Sequence, residues 1–303
     1  MKSLEVTEEL DSRVRSILLV GPKASCKRSL LYALSHEMRA TVFDLSCDNL
    51  VNKYVGPDSE GQYSVEPVPG AKKHQEQFMY TIMKVAKANQ PAVFLINEAD
   101  TMFYKKVPNH LADLDPKRLK KDWPKVIKKF PIHDRILVVG TASEPFASDQ
   151  KSLAKLWDKI LMVPRPDYGN RYEVFKYAIQ FFSKPKSKTG LESDDNTKGV
   201  CGLVSKNTQV DLATLARLSN GFTSGQIFTI VRKTIETLSS VVENRTLKAM
   251  DFISFMSKME PVSQELDEEY AAWYMKTPMG KKFTQMLKVD NEESDDKPKK
   301  KGK

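Results

Sequence analysis

Cysteine is scarce in this chain. Cys26, Cys47 and Cys201 are the three in 303 residues, far apart and without a Cys-x-x-Cys pair. That excludes a disulfide framework and a zinc site built on thiolates, and it fits free thiols in a reducing compartment. Histidine is also sparse, four residues scattered along the chain, so no metal centre is expected. No apolar run approaches the roughly 20 residues that a membrane-crossing helix needs, and no signal-peptide pattern opens the chain. No internal repeat is found. What is abundant is positive charge. The formal net charge of +9 favours an acidic partner, whether nucleic acid, anionic lipid or an acidic protein surface. The plainer explanation is local clustering, in a charged tail (D-D-K-P-K-K-K-G-K) and in one basic segment.

Short apolar runs alternate with helical patterns. The runs Ile17 to Val20, Thr41 to Leu45, Ala92 to Ile96, Ile136 to Val139 and Ile160 to Val163 are nearly continuous in β-prone residues, as parallel strands buried on both faces should be. Helical patterns run over 27–38, 75–89 and, with many lysines, 116–130. This alternation predicts an α/β fold: a doubly wound parallel sheet of about five strands. Residues 183–199 are polar and rich in breakers, which predicts a linker. Beyond it, Leu212, Leu215 and Leu218, then Ile227, Ile230, Val231, Ile235 and Leu238, recur at helical spacing. The expected organisation is therefore an α/β nucleotide-binding subdomain over 1–182, the linker 183–199, a helical lid with a C-terminal helix over 200–288, and a charged disordered tail over 289–303. Residues 56–73 read as a mobile insertion.

Glycine is missing where it matters most. Residues 17–29 read I-L-L-V-G-P-K-A-S-C-K-R-S, an apolar strand, a turn and the start of a helix. A phosphate-binding loop, G-x-x-x-x-G-K-[ST], cradles phosphates on backbone N–H groups, reaches them with its Lys and holds Mg²⁺ with its hydroxyl. Gly21 and Lys27 stand where that pattern wants them. Cys26 replaces the second glycine and Arg28 the hydroxyl. Ala24 and Cys26 put side chains where the chain approaches its ligand and needs positive φ. A guanidinium cannot ligate a metal, and Ser29 lies one residue late, about 100° around the helix. The alternative is an ordinary strand-to-helix turn. If the loop is functional, the residues 21–29 (Gly21, Pro22, Lys23, Ala24, Ser25, Cys26, Lys27, Arg28 and Ser29) would line it.

The second candidate segment is A-V-F-L-I-N-E-A-D, residues 92–100. An apolar strand ending in two acids is the Walker B pattern, in which the first acid holds Mg²⁺ and the second activates water. The first position is Asn97, which is neutral. The second, Glu98, is intact and is the one catalytic candidate. Arg28 and Asn97 together leave Mg²⁺ without its protein ligands, so ATP or ADP is the expected cofactor and a metal is not. Arg28 can pair with phosphate oxygens itself and hold a nucleotide without turning it over.

These residues resemble the AAA+ ATPase superfamily over nearly the whole chain. Gly21 to Lys27 is similar to the G-P-P-G-T-G-K-T loop, and Lys53-Tyr54-Val55-Gly56 to a K-Y-V-G pore-loop segment. Val138 to Pro145 is similar to the strand bearing the sensor Asn, a position held here by Ser143. Lys155-Leu156-Trp157-Asp158 is similar to the segment bearing the Arg finger, so Leu156 stands at the finger. Gly221 to Ile227 resembles the lid signature G-Y-S-G-x-D-I. A narrower resemblance rests on F-Y-K-K-V-P (103–108), P-K-R-L-K-K (116–121), V-P-R-P-D-Y-G-N-R (163–171) and W-Y-M-K-T-P-M-G-K-K (273–282). They are similar to the IQ and AAA domain-containing proteins, a family that includes a subunit of the dynein regulatory complex of motile cilia. This resemblance implies a cytoskeletal place in the cilium or flagellum axoneme, at the nexin link beside doublet microtubules, with other complex subunits as partners. No calmodulin-type I-Q-x-x-x-R-G motif accompanies it, since Ile179-Gln180 continues into F-F-S-K. The chain begins almost at the loop strand, as a form carrying only the AAA part would.

The basic segment 116–130 interleaves lysines with Leu119, Trp123, Val126, Ile127 and Phe130. Its apolar face is expected to pack on the sheet, and its outer face to meet an acidic protein surface. Nucleic acid is disfavoured because no reading module is present. The leading expectation is a structural or nucleotide-responsive axonemal scaffold, a pseudo-ATPase with a degenerate site. The alternative is an active ATP-hydrolysing AAA+ ring that remodels a protein partner through Tyr54.

Overall fold

The computed structural model describes residues 14–50, 71–182 apart from 113, 118, 129, 132 and 133, and then 210–241 and 247–284. The segment around Tyr54, the expected linker and the charged tail lie outside the described residues. Two compact units form. One comprises Met1–Gly21, Lys27–Met162 and Glu269–Lys303; the other comprises Pro22–Cys26 and Val163–Glu268. One boundary between the units falls after Met162.

The first unit is built on five parallel strands: β1 (Ser16–Val20), β2 (Thr41–Asp44), β3 (Ala92–Ile96), β4 (Ile136–Ala142) and β5 (Lys159–Met162), in the order β2-β3-β4-β1-β5. The sheet has the expected strand number and direction. Every residue of β3 is buried, which is why that run carries no polar alternation. β4 runs three residues further than its apolar signal, through Gly140, Thr141 and Ala142. The extension pairs Val20 with Ala142 and Ile96 with Gly140, so polar residues after the apolar run reach the carboxyl edge of the sheet. Gly140 is needed there. A Cβ would lie 2.4 Å from the indole of Trp157, which is buried against it.

Helix α1 (Lys27–Glu37) follows β1, and α2 (Cys47–Leu50) follows β2. α3 (Ala71–Ala88) begins four residues earlier than its pattern and takes in the end of the expected insertion. α4 (Asn109–Ala112) is a single turn. The basic segment departs from expectation: among its described residues only α5 (Trp123–Lys128) is helical, preceded by turns. Pro124 is the reason, because proline is tolerated only in the first turn of a helix and forces the start to lie beside it. Its apolar face does pack inward. Trp123 is fully buried and Phe94 of β3 sits 5.9 Å from its ring and 6.5 Å from that of Phe130. α6 (Gln150–Leu156) leads into β5. Ser16 is fully buried, and Asp158 accepts hydrogen bonds from the backbone N–H groups of Arg15 (2.8 Å) and Ser16 (3.0 Å).

The second unit is helical, with α7 (Tyr168–Phe182), α8 (Leu212–Leu218), α9 (Ser224–Val241) and α10 (Ala249–Met256). Its core joins Phe175 and Ile179 to Leu215, Ile227, Ile230, Val231, Ile235 and Phe252. The α9 stripe is therefore core, as its spacing predicts. The α8 stripe is only partly so, because Leu218 is 53% exposed. A strict three-residue spacing drifts about 60° per step on a helix of 3.6 residues per turn, and Leu218 has rotated out.

Helix α11 (Gln264–Lys276) passes from one unit into the other. From Glu269 onward the chain belongs with the sheet rather than with the helices. Tyr270 and Trp273 are buried there. The Tyr270 hydroxyl donates to the Ser143 carbonyl, and Gln150 donates to the Trp273 carbonyl at 3.1 Å.

Candidate functional site

The carboxyl edge of an open parallel sheet is where such folds place a ligand. Here the carboxyl ends of β1, β2, β3 and β4 carry Gly21, Asp44, Asn97 with Glu98, and Thr141 with Ser143. Gly21 is held to the sheet by its N–H, which donates to the Ala142 carbonyl at 3.2 Å. Lys27, the first residue of α1, is buried, and its Nζ donates to the Gly21 carbonyl at 2.8 Å. The lysine thus curls back toward the residue at which the turn begins.

Between them lie the five residues Pro22 to Cys26. Ala24 has φ of 60° and Cys26 φ of 61°. Both occupy the left-handed region that glycine enters freely and that costs other L-residues about 1–2 kcal/mol each. The loop takes left-handed angles at two residues that do not adopt them easily. Two backbone contacts are among those that hold it. Ser25 N–H donates to the Pro22 carbonyl at 3.3 Å, and Gly225 N–H, in the first turn of α9, donates to the Ala24 carbonyl at 2.7 Å. A Cβ on Gly225 would lie 2.3 Å from that carbonyl oxygen. This gives the lid-signature glycine a role in shaping the loop.

Arg28 does not point back over the loop. Its guanidinium donates to Asp44 Oδ2 at 2.8 Å and to the Tyr32 hydroxyl one turn along α1 at 3.2 Å. Those hydrogen bonds, first to Tyr32 and then to Asp44, raise its pKa further above the ordinary arginine value. Arg28 thus forms an internal pair with Asp44. Ser29 is exposed on α1.

At the end of β3 the side chains form a polar chain. Thr141 Oγ1 donates to Asn97 Oδ1 at 2.7 Å and accepts the Glu98 N–H at 3.1 Å. Asn97 N–H donates to Ser46 Oγ at 3.0 Å, and Ser46 Oγ in turn donates to Asp44. Asp44 is thereby shared between Arg28 and the β3 end. Glu98 is exposed and sits at φ of 50°. Asp100 is 1% exposed and accepts the Glu144 N–H at 2.7 Å. Burial pushes its carboxyl up to about 6, with the nearby Glu98 charge adding to the shift and the backbone hydrogen bonds opposing it. Ser143 at the sensor position is buried, its carbonyl tied to Tyr270. Leu156, at the finger position, is buried in α6 and accepts from Ser16 Oγ through its carbonyl.

The residue set fits a nucleotide phosphate better than a metal. A left-handed loop with a lysine folded over it supplies N–H donors and a cation for an anion. Mg²⁺ wants hard oxygen donors, usually one or two carboxylates. At the two positions that would supply them stand a guanidinium paired to Asp44 and a neutral amide held by Thr141. Among the described residues no group of three or more His, Cys, Asp or Glu could hold a metal ion. Sequence reasoning missed Asp44, Thr141, Asp100 and the Gly225 contact. Asp44 and Thr141 carried a readable signal, a polar residue at the end of an apolar run; the Gly225 bond joins residues about 200 apart and has none.

Comparison with known proteins matches the model of the ATPase family associated with various cellular activities (AAA) to residues 17–165. Mouse dynein regulatory complex protein 11 is 33% identical over 291 residues, which is 96% of this chain and 30% of that protein. Bovine spastin is 26% identical over 286 residues, 89% of this chain and 39% of that protein. The chain thus spans between 30% and 39% of the length of these two relatives. Among solved structures, the FIGL-1 AAA domain in complex with ADP aligns with a TM-score of 0.57 at 18% identity, covering 88% of this chain and 80% of that one. A katanin structure aligns at 0.54 with 16% identity, covering 83% and 74%. At that identity these two show the fold alone.

Proposed function

Residues 17–165 belong to the AAA ATPase family, and from that premise we propose that the chain is a nucleotide-holding scaffold whose capacity for hydrolysis is impaired. One observation carries the reading. The phosphate loop keeps Ala24 and Cys26 in the left-handed region and folds Lys27 over the turn, while Arg28 and Asn97 are committed to Asp44 and Thr141. A cradle maintained at a conformational cost speaks for binding. Metal positions converted into internal hydrogen bonds speak against turnover. ATP or ADP is the ligand this cradle suits. Lys27 would neutralise phosphate charge, and the N–H groups of residues 22–26 would orient it. Glu98 would remain as an acid beside the site with no metal-bound phosphate to work on.

The likeness to mouse dynein regulatory complex protein 11 supports a place in the ciliary or flagellar axoneme. The proposed partners are subunits of the dynein regulatory complex and the doublet microtubule. The domain boundaries read from sequence carry into this proposal in modified form, with the helical lid beginning at Val163. An active ring that remodels a partner is the competing reading, and the intact Glu98 favours it. Leu156 opposes it, because a buried aliphatic side chain cannot reach a neighbour's phosphate as an arginine finger does.

The test is phosphate release from ATP by the purified chain, with Lys27→Ala as background. The proposal predicts release no greater than that of the variant, together with nucleotide binding that the variant loses. Lys27-dependent release would establish the active ring instead. Co-fractionation of the chain with isolated axonemes tests the location, and a chain found wholly outside them would remove that part.

A further inference from the structure

Helices α3 and α5 enclose an open groove of about 730 Å³. Met79, Tyr80, Met83 and Val126 form its floor. Tyr80 is 70% exposed, an unusual position for a large ring on a helix that already has a buried face. The groove runs along α3 from Glu76 to Lys87, roughly 16 Å at the helical rise, which matches about three turns of a partner helix. Methionines suit such a floor because their unbranched side chains adapt to varied apolar surfaces.

The rim is basic. Lys87 is spent on Asp134 at 3.4 Å, and Lys120 lies 5.2 Å from the centre of the Phe103 ring. Lys84 of α3 and Lys125 of α5 both line the groove and make no ion pair among the described residues. Lys121 and Lys128 extend the positive field along the exposed side of the α5 segment.

We propose that this groove docks an acidic amphipathic helix supplied by a partner protein. Its apolar side chains would enter between Tyr80 and Val126, and its carboxylates would meet Lys84 and Lys125. The mode is helix-in-groove recognition. Lys84, Lys87 and Lys125 outnumber Glu76 and Asp122 in the lining; the apolar lining argues against a nucleic-acid backbone, and the concave floor argues against a flat lipid surface. The inference gives the axonemal reading a specific contact, but it is independent of nucleotide.

The experiment uses the full chain and three fluorescent peptides of about 14 residues, long enough to fill the groove. One alternates Glu and Leu at helical spacing, one has Ser in place of Leu, and one has Lys in place of Glu. The Glu/Leu peptide is expected to bind, and Tyr80→Ser to weaken it. Lys84→Glu with Lys125→Glu is expected to weaken it about ten-fold or more and to confer binding of the Lys/Leu peptide. All substituted residues are on the surface, and unchanged nucleotide affinity in the same samples reports an intact fold. No binding of the Glu/Leu peptide, equal binding of the Glu/Ser peptide, or indifference to charge reversal would overturn the proposal. So would preferential capture of an oligonucleotide or of phosphatidylserine vesicles through the same lysines. Loss of nucleotide binding alone would count against the proposed function and leave the groove untouched.

Discussion

The turn after β1 and the turn after β3 have diverged in opposite ways. In the first, the glycines that ease the loop conformation are gone, yet Ala24 and Cys26 still adopt left-handed backbone angles. In the second, the strand is fully buried and regular, yet the residue that follows it is the neutral amide Asn97, bound into a side-chain network. One region kept its shape against its sequence; the other kept its setting and changed its chemistry. Binding depends mainly on the first and metal-assisted transfer on the second, and the two can separate.

Lys27→Ala should break the first region most severely. It removes the cation over the loop, and nucleotide affinity should fall on the order of a hundred-fold, about 3 kcal/mol, by calorimetric titration. A fall of less than three-fold would mean that the loop is not the site. Gly225→Ala attacks the same loop from α9. Its Cβ would meet the Ala24 carbonyl at 2.3 Å, and the strain should cost about 2 kcal/mol. That would appear as a lower thermal midpoint and weaker nucleotide binding together. If the midpoint drops alone, the contact is structural only.

Asp100 sharpens the comparison at the second turn. Its folded pKa is raised to about 6, so the folded state favours the neutral form. Its contribution to stability is fully present below the usual carboxylate range and is lost as pH rises through about 6, on the order of 3 kcal/mol. Asp100→Asn should flatten the pH dependence of the thermal midpoint between about pH 4 and 6. An unchanged profile would show that the carboxyl is not held neutral there. The smallest effect belongs to Ala24→Gly. It relieves left-handed strain but loosens the unfolded chain, for a net gain of about 0.5–1 kcal/mol in denaturant unfolding. A loss of stability would mean that the Ala24 methyl packs more than its angle costs.

How much of this was legible in the sequence follows from range. The five strands showed because buried parallel strands are continuously apolar, and the α9 stripe because helical spacing is local. The Gly21, Lys27, Asn97 and Glu98 positions showed because spacing fixes them relative to a strand end. The α5 boundary was misjudged although Pro124 marked it, since charge and apolar period drew the reading past it. The direction of Arg28 was not legible at all. It depends on Asp44, sixteen residues away, whose importance appears only when β2 and α1 are adjacent. The assignment of the C-terminal segment to the sheet unit likewise rests on Tyr270 meeting Ser143, a contact no local pattern announces.

The central claim is that the cradle has outlived its metal ligands. Its most direct test is calorimetric titration of the unaltered chain with ATP, once in Mg²⁺ and once in EDTA. The account predicts the same dissociation constant in both, within about three-fold, with no phosphate released in either. Affinity that rises ten-fold or more with Mg²⁺, accompanied by phosphate release, would contradict it.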